Sequence, residues 1–222
     1  MNNTNTGAKI LNFINKVGTA FLINLTFVVG CLPVVTIGAS WSGLYSAIRY
    51  LIRGDGWFSG YKEGFKTGFL RNTLATAFGL LVGYYALDNI LVAAAMLVDG
   101  AAVATATVIA VAFGVLLLAV LFILTIMVPV NLYIRTDYDR WLKNTFYLIF
   151  HAPLQCLVAV VLFWIPVFQL IFMPLDFMLL AVVYAAIYFV LGGFVNTILL
   201  KKPLIRLLER EREAGTLLDE EA

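Results

Sequence analysis

Charge is what this chain has least of: Asp, Glu, Lys and Arg make up 13% of its 222 residues, and there is one histidine. A soluble domain carries about 25% charged residues, so a surface wetted on all sides is excluded. The formal net charge of +2 gives no electrostatic case for a nucleic-acid partner. The two cysteines, Cys31 and Cys156, lie in separate apolar runs, which predicts free thiols and neither a disulfide nor a thiolate metal site. Phosphate-binding glycine loops, a dinucleotide fingerprint, HExxH, CxxC and a nucleophile elbow are all missing. No catalytic, cofactor-binding or metal-ligating residue is therefore assigned, no cofactor is expected, and the chain reads as a non-enzyme. The polar opening MNNTNTGAK lacks the pattern of a removable signal peptide, so the first span is expected to be retained.

What remains is apolar. Hydrophobic residues form 62% of the chain, mean hydropathy is +0.95, and uncharged runs are long enough for helices that cross a bilayer. The expected fold is all-α, a polytopic α-helical membrane protein with six hydrophobic helices, the first two a short Pro/Gly-broken hairpin, plus amphipathic interfacial helices. A single membrane domain is expected over 1–222. It would comprise a disordered tip (1–7), an interfacial lead-in (8–16), the hairpin (17–52), an amphipathic helix (57–71), spans at 72–98, 101–134, 144–175 and 177–200, and a tail (201–222).

The hairpin follows from length. The uncharged run 17–48 would measure about 48 Å as one helix, against a hydrocarbon core of about 30 Å, so it must bend. Pro33 cannot donate to a helix ladder, Gly38 offers a restart, and Thr36 or Ser40 could cap the second arm. Pro33, Thr36 and Gly38 are thus the candidate functional bend, read either as a plain turn or as exposed amides able to hold an anionic or hydroxyl-bearing group. In 57–71 an aromatic residue recurs every fourth position (Trp57, Tyr61, Phe65, Phe69) beside Gly60, Gly64 and Gly68. That period predicts an interfacial helix with a close-packed neighbour. Gly79 and Gly83 have the spacing that lets membrane helices approach closely. Two intramembrane polar residues are candidates as well. Asp88 reads as a functional carboxylate or a residue near a helix end, and His151, two residues before Pro153, as a titrating group or a partner for a freed carbonyl.

All 15 Lys and Arg residues fall in groups that a six-segment path puts on one side. The bends at 34–40, 88–100 and Asp176 carry none, so the positive-inside preference predicts cytoplasmic termini and an outward-facing first bend.

The stretch LPVVTIGAS followed by LY and a basic residue, the aromatic-every-four helix, the Asp-bearing span, Pro129, and Leu142, Lys143 and Asn144 leading into the next span together resemble the YesL-like bacterial membrane proteins over most of 13–200. No activity is assigned to that family. Its members often neighbour carbohydrate-uptake transporters and polysaccharide-degrading enzymes, so the resemblance implies an accessory role in carbohydrate uptake in the bacterial plasma membrane. The implied partners are the lipid bilayer and a carbohydrate transporter, with a homo-oligomer as a further option. The alternatives are a small permease that moves a sugar itself along a path lined by the bend and Asp88, and a membrane-bound enzyme acting on lipid or glycan.

Overall fold

The computed structural model describes residues 3–100, 102–134, 137–172 and 178–215. Among the described residues there are eight α-helices: α1 (Asn3–Cys31), α2 (Ile37–Arg53), α3 (Trp57–Lys66), α4 (Phe69–Val98), α5 (Val103–Tyr133), α6 (Tyr138–His151), α7 (Pro153–Phe172) and α8 (Met178–Glu213). Among the described residues α4, α5 and the 188–213 part of α8 are each long and apolar enough to cross a membrane, and α6 with α7 forms a fourth, bent candidate. The chain is an all-α membrane protein.

Local chemistry accounts for the two ends of α2. Pro33 stops α1, a 3-10 turn (Val34–Thr36) follows, and α2 restarts at Ile37. At the other end of α2, Gly54 takes φ 88° and donates its N–H to the Leu51 carbonyl, while the Asp55 N–H reaches the Tyr50 carbonyl at 2.9 Å. These paired bonds satisfy carbonyls that the helix end would leave open, and glycine adopts the left-handed conformation there at little cost.

The tip expected to be disordered is helical from Asn3, and the amphipathic helix expected over 57–71 stops at Lys66, with Gly68 at φ 64° before α4 begins at Phe69. Three further expected elements come out differently. The interfacial lead-in and the first hairpin arm are one helix, because α1 runs unbroken from Asn3 to Cys31 and no proline or glycine pair interrupts it at Lys16. The expected span 144–175 is instead two helices whose axes meet at 103°. Pro153 disfavours helical geometry in the residue before it, and Ala152 leaves the helix at φ −135°, ψ 52°. Third, the expected span 177–200 and its tail are continuous in α8, which passes through Pro203. Leu204 and Leu207 are buried there, so packing offsets the hydrogen bond that proline removes. Residues 1–2 of the expected tip, residues 135–136, the turn at Asp176 and the tail from 216 lie outside the described residues.

α2 is the centre of the molecule. Every residue from Gly38 to Ile48 is buried, which requires neighbours on all sides. α3 folds back along it in antiparallel fashion. A Cβ on Gly60 would stand 2.6 Å from the Tyr50 ring, and one on Gly64 would stand 2.6 Å from the Ser42 carbonyl. The glycine stripe of α3 therefore has the close neighbour its cost of about 1 kcal/mol per glycine demands, and that neighbour is α2. Ile48 of α2 meets Gly193 of α8, while Trp41 stacks on Phe163 of α7 with ring centroids 3.9 Å apart.

α4 and α5 pair antiparallel along their length, with Gly79 against Leu124, Gly83 against Val120 and Leu117, and Tyr85 against Phe113. Their distal halves project beyond the core as an arm. Phe78, Leu81, Tyr84, Val98, Val108 and Val115 are all largely exposed. The 80–98 segment is about 28 Å long, comparable to a hydrocarbon core of about 30 Å, so lipid is the natural solvent of this arm.

Candidate functional site

The first candidate, the bend, is built into the core. Thr36 makes no side-chain cap for α2. Its hydroxyl donates to the Gly30 carbonyl at 2.6 Å and lies 2.8 Å from the Pro33 carbonyl, so it closes the end of α1. Ser40, the other expected cap, is buried and shares a 3.0 Å hydrogen bond with the Tyr61 hydroxyl. Gly38 sits hard against α4. A Cβ there would lie 2.5 Å from the Thr76 hydroxyl and 2.7 Å from the Asn72 carbonyl carbon.

These contacts fix how α2 lies. Gly38 rests on Asn72, whose side-chain oxygen accepts from Asn131 Nδ2 at 2.7 Å. About 16 Å further along the same helix, the guanidinium of Arg49 donates to the Leu132 carbonyl at 3.4 Å and stacks 4.2 Å over the Tyr133 ring. Both ends of α2 thus touch the same end of the α4/α5 pair. α2 lies across that pair, at the end carrying Arg71, instead of running beside it to the far end. The bend therefore lies at the same end of the α4/α5 pair as Asn72 and Asn131. Charge counting reports how often a chain changes sides, and it does not report how deeply each excursion goes.

Polar groups inside the bundle tie helices together. Asn72 and Asn131 join α4 to α5, Trp164 donates to the Thr125 hydroxyl at 2.8 Å to join α7 to α5, and Asn196 donates to the Tyr45 hydroxyl at 3.2 Å and to the Ala159 carbonyl at 3.3 Å. Asn196 therefore holds α8 to both α2 and α7. Asn196→Leu should lower stability by about 1 to 2 kcal/mol, the scale of an interhelical polar contact in a membrane protein. Thermal unfolding in detergent is the check, and a midpoint equal to that of the unmodified protein would show the contact to be idle.

The intramembrane candidates are far apart. Asp88 is exposed on the distal arm, about 24 Å of helix from Asn72, so the structure does not bring it together with the bend. Of the helix-packing pair, Gly79 is buried with a Leu124 methyl 2.5 Å from where a Cβ would be, whereas Gly83 has only ordinary contacts beyond 3.6 Å. His151 is exposed at the end of α6. Its Nδ1 lies 3.0 Å from the Tyr147 carbonyl and its ring stacks on that of Tyr147 at 3.7 Å.

Around His151 opens a cleft of about 720 Å³ lined by Asp137, Asp139, Arg140, Lys143, Asn144, Tyr147, Phe150, His151, Arg210 and Glu211. α6 supplies one wall and the end of α8 the other, joined by Arg140 and the nearly buried Glu211 at 3.9 Å and by Arg210 stacked 4.3 Å over Tyr147. Sequence reasoning finds His151 alone. A signal for the rest exists in the polar stripe Arg140, Lys143, Asn144, Tyr147 and His151, which recurs at helical spacing on one face of α6. The α8 wall, some 60 residues further along the chain, follows only from the fold.

With this geometry in place, comparison with known proteins gives one result. Residues 20–90 match a family described as "Protein of unknown function, DUF624". This is the family often called YesL-like. The match spans the second half of α1, the bend, α2, α3 and most of α4, so it covers the small-residue unit in which α2 is clamped. No curated protein and no solved structure matches the chain. The cleft between α6 and α8 lies outside the matched segment.

Proposed function

We propose that this protein is a non-catalytic accessory protein of the bacterial plasma membrane that works beside a carbohydrate-uptake transporter, with both termini in the cytoplasm. The observation that carries the reading is the use of interior polar groups: Asn72, Asn131, Thr125, Trp164, Tyr45 and Asn196 bond from helix to helix, and Asp88 stands apart from them on the arm. That arrangement favours a scaffold over a solute path. The family resemblance supplies the carbohydrate context. In this reading the six-segment path persists in a modified form: α4, α5, α7 and α8 cross, and α1 with α2 enters and returns on the basic side. Each basic group then keeps its side. The exposed α4/α5 arm is the surface offered to a partner's transmembrane helices.

The test is purification of a tagged full-length chain from its own host in mild detergent, with mass spectrometry of what accompanies it. Carbohydrate-transporter subunits should co-purify, and proteoliposomes holding this chain alone should take up no labelled sugar. Uptake by the chain alone would replace the accessory reading with that of a permease.

A further inference from the structure

We propose that the cleft between α6 and the end of α8 is a binding site for a zwitterionic phospholipid whose headgroup carries a phosphodiester and a primary amine. The charge of the lining comes first. Three cationic side chains (Arg140, Lys143, Arg210) face three carboxylates (Asp137, Asp139, Glu211), so the cleft as a whole favours neither a bare anion nor a bare cation. A ligand bearing both signs can meet both sets. Arg140 and Glu211 are paired with each other and Arg210 lies on Tyr147, which holds that wall in place. Lys143 and Asp139, both exposed on α6, are left to meet the phosphate and the amine respectively.

A second observation lies in the wall. Asn144 is 3% exposed, lines the cleft, and its buried Nδ2 has no hydrogen-bond partner among the described residues. An unpaired buried amide donor forfeits the hydrogen bond it makes in water. A phosphate oxygen entering the cleft would give it an acceptor after a small turn of the side chain.

A third observation identifies the ligand as a lipid. A shallow trough of about 410 Å³ adjoins the cleft, shares Asp139 and Lys143 with it, and is otherwise lined by Trp141, Leu142 and Phe146. The polar cleft thus continues into an apolar groove, as an amphipathic ligand requires. Orientation agrees. Because α6 turns 103° away from the apolar α7, a membrane-crossing α7 lays α6 along the bilayer surface. Its exposed Leu142, Phe146 and Phe150 then face the acyl chains while its polar stripe sits at headgroup level.

The test uses delipidated full-length protein in detergent and native mass spectrometry with three probes: short-chain phosphatidylethanolamine, short-chain phosphatidylglycerol and free phosphoethanolamine. Phosphatidylethanolamine should bind about tenfold more tightly than either of the others, the loss expected when one charged hydrogen bond or the apolar contact is missing. Lys143→Ala, at an exposed position, should weaken it about tenfold by removing one charge-assisted bond while leaving the unfolding midpoint unchanged. Asp139→Asn should narrow the preference over phosphatidylglycerol. Equal or tighter binding of phosphatidylglycerol would overturn the zwitterionic assignment. Equal binding of phosphoethanolamine would make this a site for a free phosphoester, and binding of none of the three, or binding indifferent to Lys143→Ala, would end the proposal.

Discussion

Gly38→Val should destabilise the protein by about 3 kcal/mol, the upper part of the range for overpacking a filled site. The reason is what the new side chain would meet. A Cβ at Gly38 points into Thr76 and the backbone of Asn72, and a helix backbone cannot rotate aside as the end of a flexible side chain can. Either α2 lifts off α4, which exposes the buried face from Gly38 to Ile48, or α4 shifts and strains the bond between Asn72 and Asn131. Thermal unfolding in detergent measures the loss. Gly114→Ala is the matched control, because nothing lies within 4 Å of its Cβ position and alanine is favoured over glycine in a helix by about 1 kcal/mol. The control should unfold at or slightly above the midpoint of the unmodified protein. If Gly38→Val unfolds with it, α2 does not rest on Asn72 and the placement of the bend falls.

Gly38 also shows what a sequence discloses and what it leaves out. Its conformational freedom made it a plausible restart after Pro33, and α2 does begin beside it, at Ile37. Its structural use is the missing side chain, which depends on where α4 passes, and no local pattern carries that information. Gly60 and Gly64 were more readable, because their four-residue step on an amphipathic stretch already implied a close neighbour. The identity of that neighbour, α2, came from the antiparallel return permitted by the turn at Gly54. Pro153 announces a bend, but its angle of 103° goes with where α6 packs, and the buried Trp141 of α6 donates to the Met127 carbonyl of α5 at 3.1 Å, a contact that no local pattern carries. The cleft was the least legible part, since Arg140 and Glu211 come from opposite ends of the last three helices and each alone reads as an ordinary charge on a surface helix.

In intact cells, a cysteine at Asp99 should react with a membrane-impermeant maleimide added outside, and a cysteine at Thr36 should not. Each would be the sole cysteine, with Cys31 and Cys156 replaced by alanine. The expectation rests on a length. From Asn72 to Asp99 α4 measures about 40 Å, more than the hydrocarbon core of about 30 Å, so the two ends of this helix lie on or near opposite faces. Thr36 immediately precedes α2, two residues from the glycine packed on Asn72, and it therefore belongs to the Asn72 end. The turn at Asp99 and Gly100 is exposed at the tip of the arm and belongs to the other. Charge-based topology alone puts both positions outside, so the pair separates a hairpin that crosses from one that enters and returns. A cysteine at Ser59, on the exposed side of α3, should be silent from outside under either arrangement and labelled once the membrane is permeabilised. Reaction at Thr36 from outside at the rate seen for Asp99 would mean that α2 spans the bilayer, and the packing of Gly38 on Asn72 could not then hold in the membrane.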